Sequence, residues 1–69
     1  MTTDELSFLS RTCNSQNSPA ILNRVWNAYD RGRLNIASIA VGSLLNKLNE
    51  YIPDNHIIKD LENEHKFTR

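Results

Sequence analysis

Apolar side chains recur at three- and four-residue intervals along most of the chain, and four stretches carry the period of an α-helix. In the first, Thr2 and Glu5 form a capping box that opens a short helix. Leu6, Leu9 and Cys13 fall on one side of it, with Phe8 off that line. Thr12 to Asn17 is polar, rich in Asn, Ser and Gln, and reads as a linker. Ser18 then has the chemistry of an N-cap, and Pro19 at the first helical position loses no hydrogen bond. The second helix runs to about Arg31, with Ile21, Leu22, Val25, Trp26 and Tyr29 on one face. Asn23, Arg24, Asn27, Asp30 and Arg31 occupy the other. Gly32 stops the helix by supplying a left-handed residue at its C-terminus.

The tight turn Arg31-Gly32-Arg33-Leu34-Asn35 leads into a third helix. Asn35 is its expected N-cap, and Leu34 packing on Ile39 would make a hydrophobic staple. Ile36, Ala40, Val41, Leu44, Leu45, Leu48, Tyr51 and Ile52 spread over about half the circumference, wider than the ~100° stripe of an ordinary surface helix. Gly42 weakens this helix by about 1 kcal/mol relative to alanine. It is either tolerated there or marks a close backbone approach by a partner. Pro53 ends the helix, and Asp54 is the expected cap of a fourth helix from Asn55 to about Lys66. Ile57, Ile58 and Leu61 form its apolar strip with His65 on the same side, and Glu62 and Lys66 make an i,i+4 pair.

These elements predict an all-α fold: a small helical hairpin with flanking short helices, completed as a homodimeric bundle. Residues 1–17 form the N-terminal helix and linker, and residues 18–69 the hairpin and C-terminal helix, within one domain. The second and third helices each carry an apolar face too wide for a single partner helix. Leu22, Val25, Trp26, Tyr29, Ile36, Leu44, Leu45, Leu48 and Ile52 are therefore the expected core and dimer residues. Size points the same way, because a chain of 69 residues buries only about 60% of its unfolded surface. Oligomerisation is one of the usual remedies. A disulfide is not, since Cys13 is the only cysteine.

Charge and chemistry narrow the function. Eight basic and eight acidic residues balance to a formal net charge of zero, which argues against general polyanion binding. The acidic, polar start Met1-Thr2-Thr3-Asp4-Glu5 lacks the pattern of an export signal, and no apolar run approaches a membrane span. A lone thiol fits a reducing compartment, so a cytoplasmic protein without membrane contact is expected. His56 and His65 are nine residues apart, with no second ligand at zinc-site spacing. His56 with Asp60 reads as an exposed polar pair, and Cys13 as a small buried apolar residue. No catalytic, metal or cofactor motif is present, so the chain is expected to be neither an enzyme nor a cofactor binder.

Arg24 and Arg31 share a face of the second helix and Arg33 stands at the turn, a small basic cluster. It reads as a partner-binding surface, as a DNA contact, or as a solvated edge partly neutralised by Asp30. Asn35 to Leu48 loosely suggests a helix-turn-helix. Gly42, however, follows Ala37 by five residues instead of the four that motif wants. Trp26 and Tyr29 could stack on bases, but their place among Leu22 and Val25 suits packing.

The order of features resembles the YmgB/AriR family of small bacterial connector proteins. The likeness runs through Leu22, Val25, Gly32, Leu34-Asn35, Ile39, Leu44-Leu45 and Leu48, about half of the chain, with Asn49 where an acid is usual. The resemblance implies an all-helical homodimer that modulates a two-component phosphorelay through protein contacts, with effects on biofilm formation and acid resistance. Two functions from different classes are thus expected to compete. One is a non-enzymatic regulator that docks on a signalling or transcription protein through Arg24, Arg31 and Arg33. The other is a small dimeric DNA-binding transcriptional regulator. A phage- or plasmid-encoded inhibitor or antitoxin that binds a host protein shares the physics of the first.

Overall fold

The computed structural model describes residues 1–67, which form four helices: α1 (Thr3–Thr12), α2 (Ser18–Asp30), α3 (Ile39–Tyr51) and α4 (His56–Phe67). Among the described residues there is no strand, and no helix is long and apolar enough to cross a membrane. Thr2 caps α1, its hydroxyl accepting the Glu5 amide at 3.1 Å. Among the described residues the other half of the capping box is not made, because the Glu5 carboxylate pairs with Arg24 instead. Leu6, Leu9 and Cys13 are buried and Phe8 is exposed. The linker is held by asparagines: the Asn14 side-chain oxygen accepts the Gln16 and Asn17 amides, and the Asn17 side-chain amide donates to the Thr12 carbonyl.

α3 is the central element. α1 and α4 are its larger partners, and α2 touches both α3 and α4 along smaller contacts. Val41, Leu44, Leu45 and Leu48 are consequently no more than 1% exposed. The centre of the apolar arc is covered by three helices of the same chain, while Tyr51 at its end is exposed and Ala40 and Ile52 are half-buried. Most of the width of that face does not itself call for a second copy. Leu22 and Val25 of α2, Ile58 and Leu61 of α4, and Leu34 and Ile36 from the connection complete the core. Trp26, Tyr29 and Ile52 are half-buried at its margin. The radius of gyration, 10.6 Å, is close to the ~11 Å of a compact chain of this length.

Five local expectations are corrected. Asn17 occupies the cap position of α2, without a side-chain bond, while Ser18 begins the helix and is 1% exposed. α3 starts four residues after Asn35: Ser38 is its N-cap, with its hydroxyl accepting the Ala40 amide at 3.2 Å. Burial decides this. Leu34 and Ile36 both turn into the core from an irregular connection, which a helix starting at Asn35 would not allow in the same way. The staple therefore does not form, and Ile39 is 87% exposed. Asn55, not Asp54, caps α4, its side-chain oxygen accepting the Ile57 and Ile58 amides. Asp54 instead takes the left-handed turn position at φ 60°, which aspartate tolerates better than most side chains. Lys59 reaches Asp54 at 3.7 Å, and Glu62–Lys66 is not among the ion pairs of the described residues.

Gly42 has a definite neighbour. A Cβ at this position would lie 2.7 Å from His65 Nε2 and 3.2 Å from its Cε1. The ring is fixed from its other side, where Nδ1 stands 2.7 Å from the Ile36 carbonyl oxygen. A carbonyl can only accept, so Nδ1 carries the proton and donates. The close approach at Gly42 is thus made by α4 of the same chain.

Candidate functional site

The end of α2 is built by its own sequence into a rigid platform. Gly32 takes φ 70°, a value open to glycine at little cost. The Gly32 amide then donates to Tyr29 and the Arg33 amide to Ala28, closing a Schellman motif. The Arg31 amide donates to Asn27. Arg31 and Arg33 are in this way held on either side of one glycine, with their backbones hydrogen-bonded to the last turn of α2.

Along α2 and its C-cap residue Arg31, Ala20, Asn23, Arg24, Asn27, Ala28 and Arg31 recur at helical spacing and form one stripe. With Glu5, Met1 and Arg33 they line a groove of about 520 Å³. The structure therefore brings Arg24, Arg31 and Arg33 together on one surface, and all three are solvent-exposed. Two small side chains, Ala20 and Ala28, form part of its floor, and Asn23 and Asn27 supply amide donors and acceptors. The expected partial neutralisation by Asp30 is replaced by another contact: the Arg24 guanidinium pairs with the Glu5 carboxylate of α1. Glu5 is the member of the site that sequence reading assigned only to capping. Its role depends on α1 lying beside α2, and nothing in the local pattern of either helix encodes that.

The other nominated residues lie inside or at the rim of the core. Leu22, Val25, Ile36, Leu44, Leu45 and Leu48 are buried within the chain. Trp26 and Tyr29 face each other with ring centroids 5.9 Å apart and planes tilted by 36°, a favourable aromatic arrangement. Partial desolvation raises the Tyr29 phenol above its ordinary value, and the neighbouring Glu64 carboxylate raises it further. Trp26 and Ile52 also line a shallow apolar groove with Pro19, Leu22 and Ile57.

Among the described residues, no three His, Cys, Asp or Glu side chains gather where they could hold a metal ion. Cys13 is buried, and that burial is the main reason its thiol is pushed above the ordinary range. Nearby Lys47 lowers it and Glu50 raises it. A protonated, covered thiol is a poor nucleophile. α3 runs unbroken through Gly42, so the turn of a helix-turn-helix does not fall there. A second groove between α3 and α4 carries Lys59, Glu62 and Lys66 beside the exposed Ile39, with charges of both signs. The chain matches no protein-family model, no curated protein and no solved structure.

Proposed function

We propose that this chain is a small non-enzymatic regulatory protein that acts by docking on another protein, with the arginine groove of α2 as its contact surface. The observation that carries this reading is the convergence of Arg24, Arg31 and Arg33, with Asn23 and Asn27, around one groove. Arginine suits such a surface because its planar fork grips a carboxylate in two bonds. A signalling or transcription protein with an acidic face is the kind of partner this fits. A connector acting on a two-component phosphorelay, as the YmgB/AriR resemblance implies, is the specific form proposed. A host protein met by a phage- or plasmid-encoded inhibitor would be bound by the same physics.

The same proposal includes a homodimer. Its seam is the apolar groove where Trp26 and Ile52, members of the predicted dimer set that the chain leaves half-buried, stand beside Ile57. Zero net charge offers little repulsion against it. Sedimentation equilibrium at micromolar concentration is expected to give twice the 7.9 kDa chain mass. A folded species at the single-chain mass would remove the dimer from the account.

The function is tested by comparing wild type with the double variant Arg31→Glu, Arg33→Glu as baits in a native lysate, then measuring affinity for the captured protein once purified. Loss of binding in a folded double variant supports the groove. Equal binding by both baits would move the functional surface to α4, around Lys59, Glu62 and Lys66. The arginines also favour a second reading, contact with DNA phosphates. A salt titration separates the two, since phosphate contacts give a steep, linear loss of log affinity with log salt.

A further inference from the structure

The arginine groove already holds one carboxylate, and it belongs to the protein itself. Glu5 reaches from α1 to the Arg24 guanidinium, while Arg31 and Arg33 form no ion pair among the described residues. Glu5 side-chain exposure is 35% and that of Arg24 59%, so the pair sits within reach of solvent and of a competing anion. Arg24 and Arg31 are seven residues apart on one helical face, about 10.5 Å along the axis. A second helix laid along this stripe presents carboxylates at the same interval when two acidic residues are themselves seven positions apart. Ala20 and Ala28 keep the floor low enough for such a helix to come close.

We propose that the groove recognises an acidic helical segment of a partner protein, with two carboxylates seven residues apart, and that Glu5 is an internal competitor for Arg24. The proposal rests on the docking reading given above and adds the chemistry of the bound segment. One partner carboxylate takes Arg31, assisted by Arg33. The other must displace Glu5 from Arg24, so the affinity of the groove is set partly by α1. Removing the Glu5 charge frees Arg24 and tightens binding. Removing the Asp4 charge, one residue away on exposed α1 surface and outside the groove, alters the overall charge equally and frees nothing.

The test is fluorescence anisotropy with two labelled, alanine-rich helical peptides of identical composition. In one, two glutamates stand seven positions apart; in the other, five, which places them on different faces. Wild type is expected to bind the first peptide and to bind the second several-fold more weakly. Glu5→Gln should bind the first about two- to fivefold tighter than wild type, the scale of one exposed ion pair, and tighter than Asp4→Asn does. Arg31→Glu with Arg33→Glu should not bind it. Equal binding of the two peptides, or equal gains from Glu5→Gln and Asp4→Asn, would overturn the proposal and reduce Glu5 to a structural contact. Tighter binding of a short DNA duplex than of either peptide would also overturn it, assigning the groove to phosphates. Failure with both peptides, alongside arginine-dependent capture of a partner from lysate, would reject the acidic helix while leaving the docking reading intact.

Discussion

α2 and α3 are each thirteen residues long, yet they spend their surfaces differently. α3 is enclosed by α1, α4 and α2, and its four central apolar side chains have almost no contact with solvent. α2 gives one face to the core, while the opposite stripe from Ala20 to Arg31 lines an open groove that α1 meets only at its edge, through Glu5 and Met1. The first arrangement is what a chain of this size needs to be stable at all. The second buries little apolar surface, and its three arginines are exposed. On the proposed docking function, stability and recognition fall to different helices.

The largest effect that could break this division lies in α3. Leu44→Asp or Leu48→Asp places a carboxylate without a partner where the side chain is fully buried, at a cost of several kcal/mol. The whole fold of 69 residues has only about 3–10 kcal/mol to lose. Circular dichroism is expected to show an unfolded chain for either variant. Native helicity and an unchanged melting temperature would mean that α3 is not the centre of the fold.

A smaller effect sharpens how α4 is held against α3. Alanine at Gly42 gains about 1 kcal/mol in helix propensity. It also pushes the His65 ring off its seat and endangers the bond to Ile36, worth about 0.5–1.5 kcal/mol. The two terms nearly cancel, so Gly42→Ala alone should leave the melting temperature close to wild type. In a His65→Ala background the first term stands alone, and Gly42→Ala should then stabilise. Denaturant unfolding of the four proteins measures the coupling, and simple additivity would show that the ring and the glycine act independently.

Sequence periodicity carried most of this architecture, for identifiable reasons. The four helices, the caps at Thr2 and Gly32, and the core roles of Leu22, Val25, Leu44, Leu45 and Leu48 all follow from local chemistry and spacing. The start of α3 did not. Leu34 and Ile36 are apolar and continue the arc of α3 on paper, so the period extends through residues that are buried from a loop. Ser38 and Asn35 are both good caps, and only tertiary burial chooses between them. The same limit hid the site: Arg24, Arg31 and Arg33 were legible as a cluster, whereas Glu5 and the His65–Gly42 contact depend on how separate helices lie together.

The smallest effect concerns Cys13. Its folded thiol titrates above the ordinary range, chiefly through burial. The folded state thus holds this proton more tightly than the unfolded chain does. Its contribution to stability is complete below the unfolded thiol value and is lost as pH rises through the folded one. Alkylation by iodoacetamide should accordingly need a higher pH in the native protein than in urea. Equal pH midpoints in the two states would show the thiol to be uncovered.

The division of labour itself is tested most directly by titrating the seven-spaced acidic peptide into the Arg31→Glu, Arg33→Glu variant. Both positions are exposed, so the charge reversal should shift stability by no more than about 0.5 kcal/mol, or the melting temperature by about 2–4 °C. The double variant is expected to remain folded and no longer to bind the peptide. A folded double variant that binds it as tightly as wild type would contradict the assignment of recognition to α2.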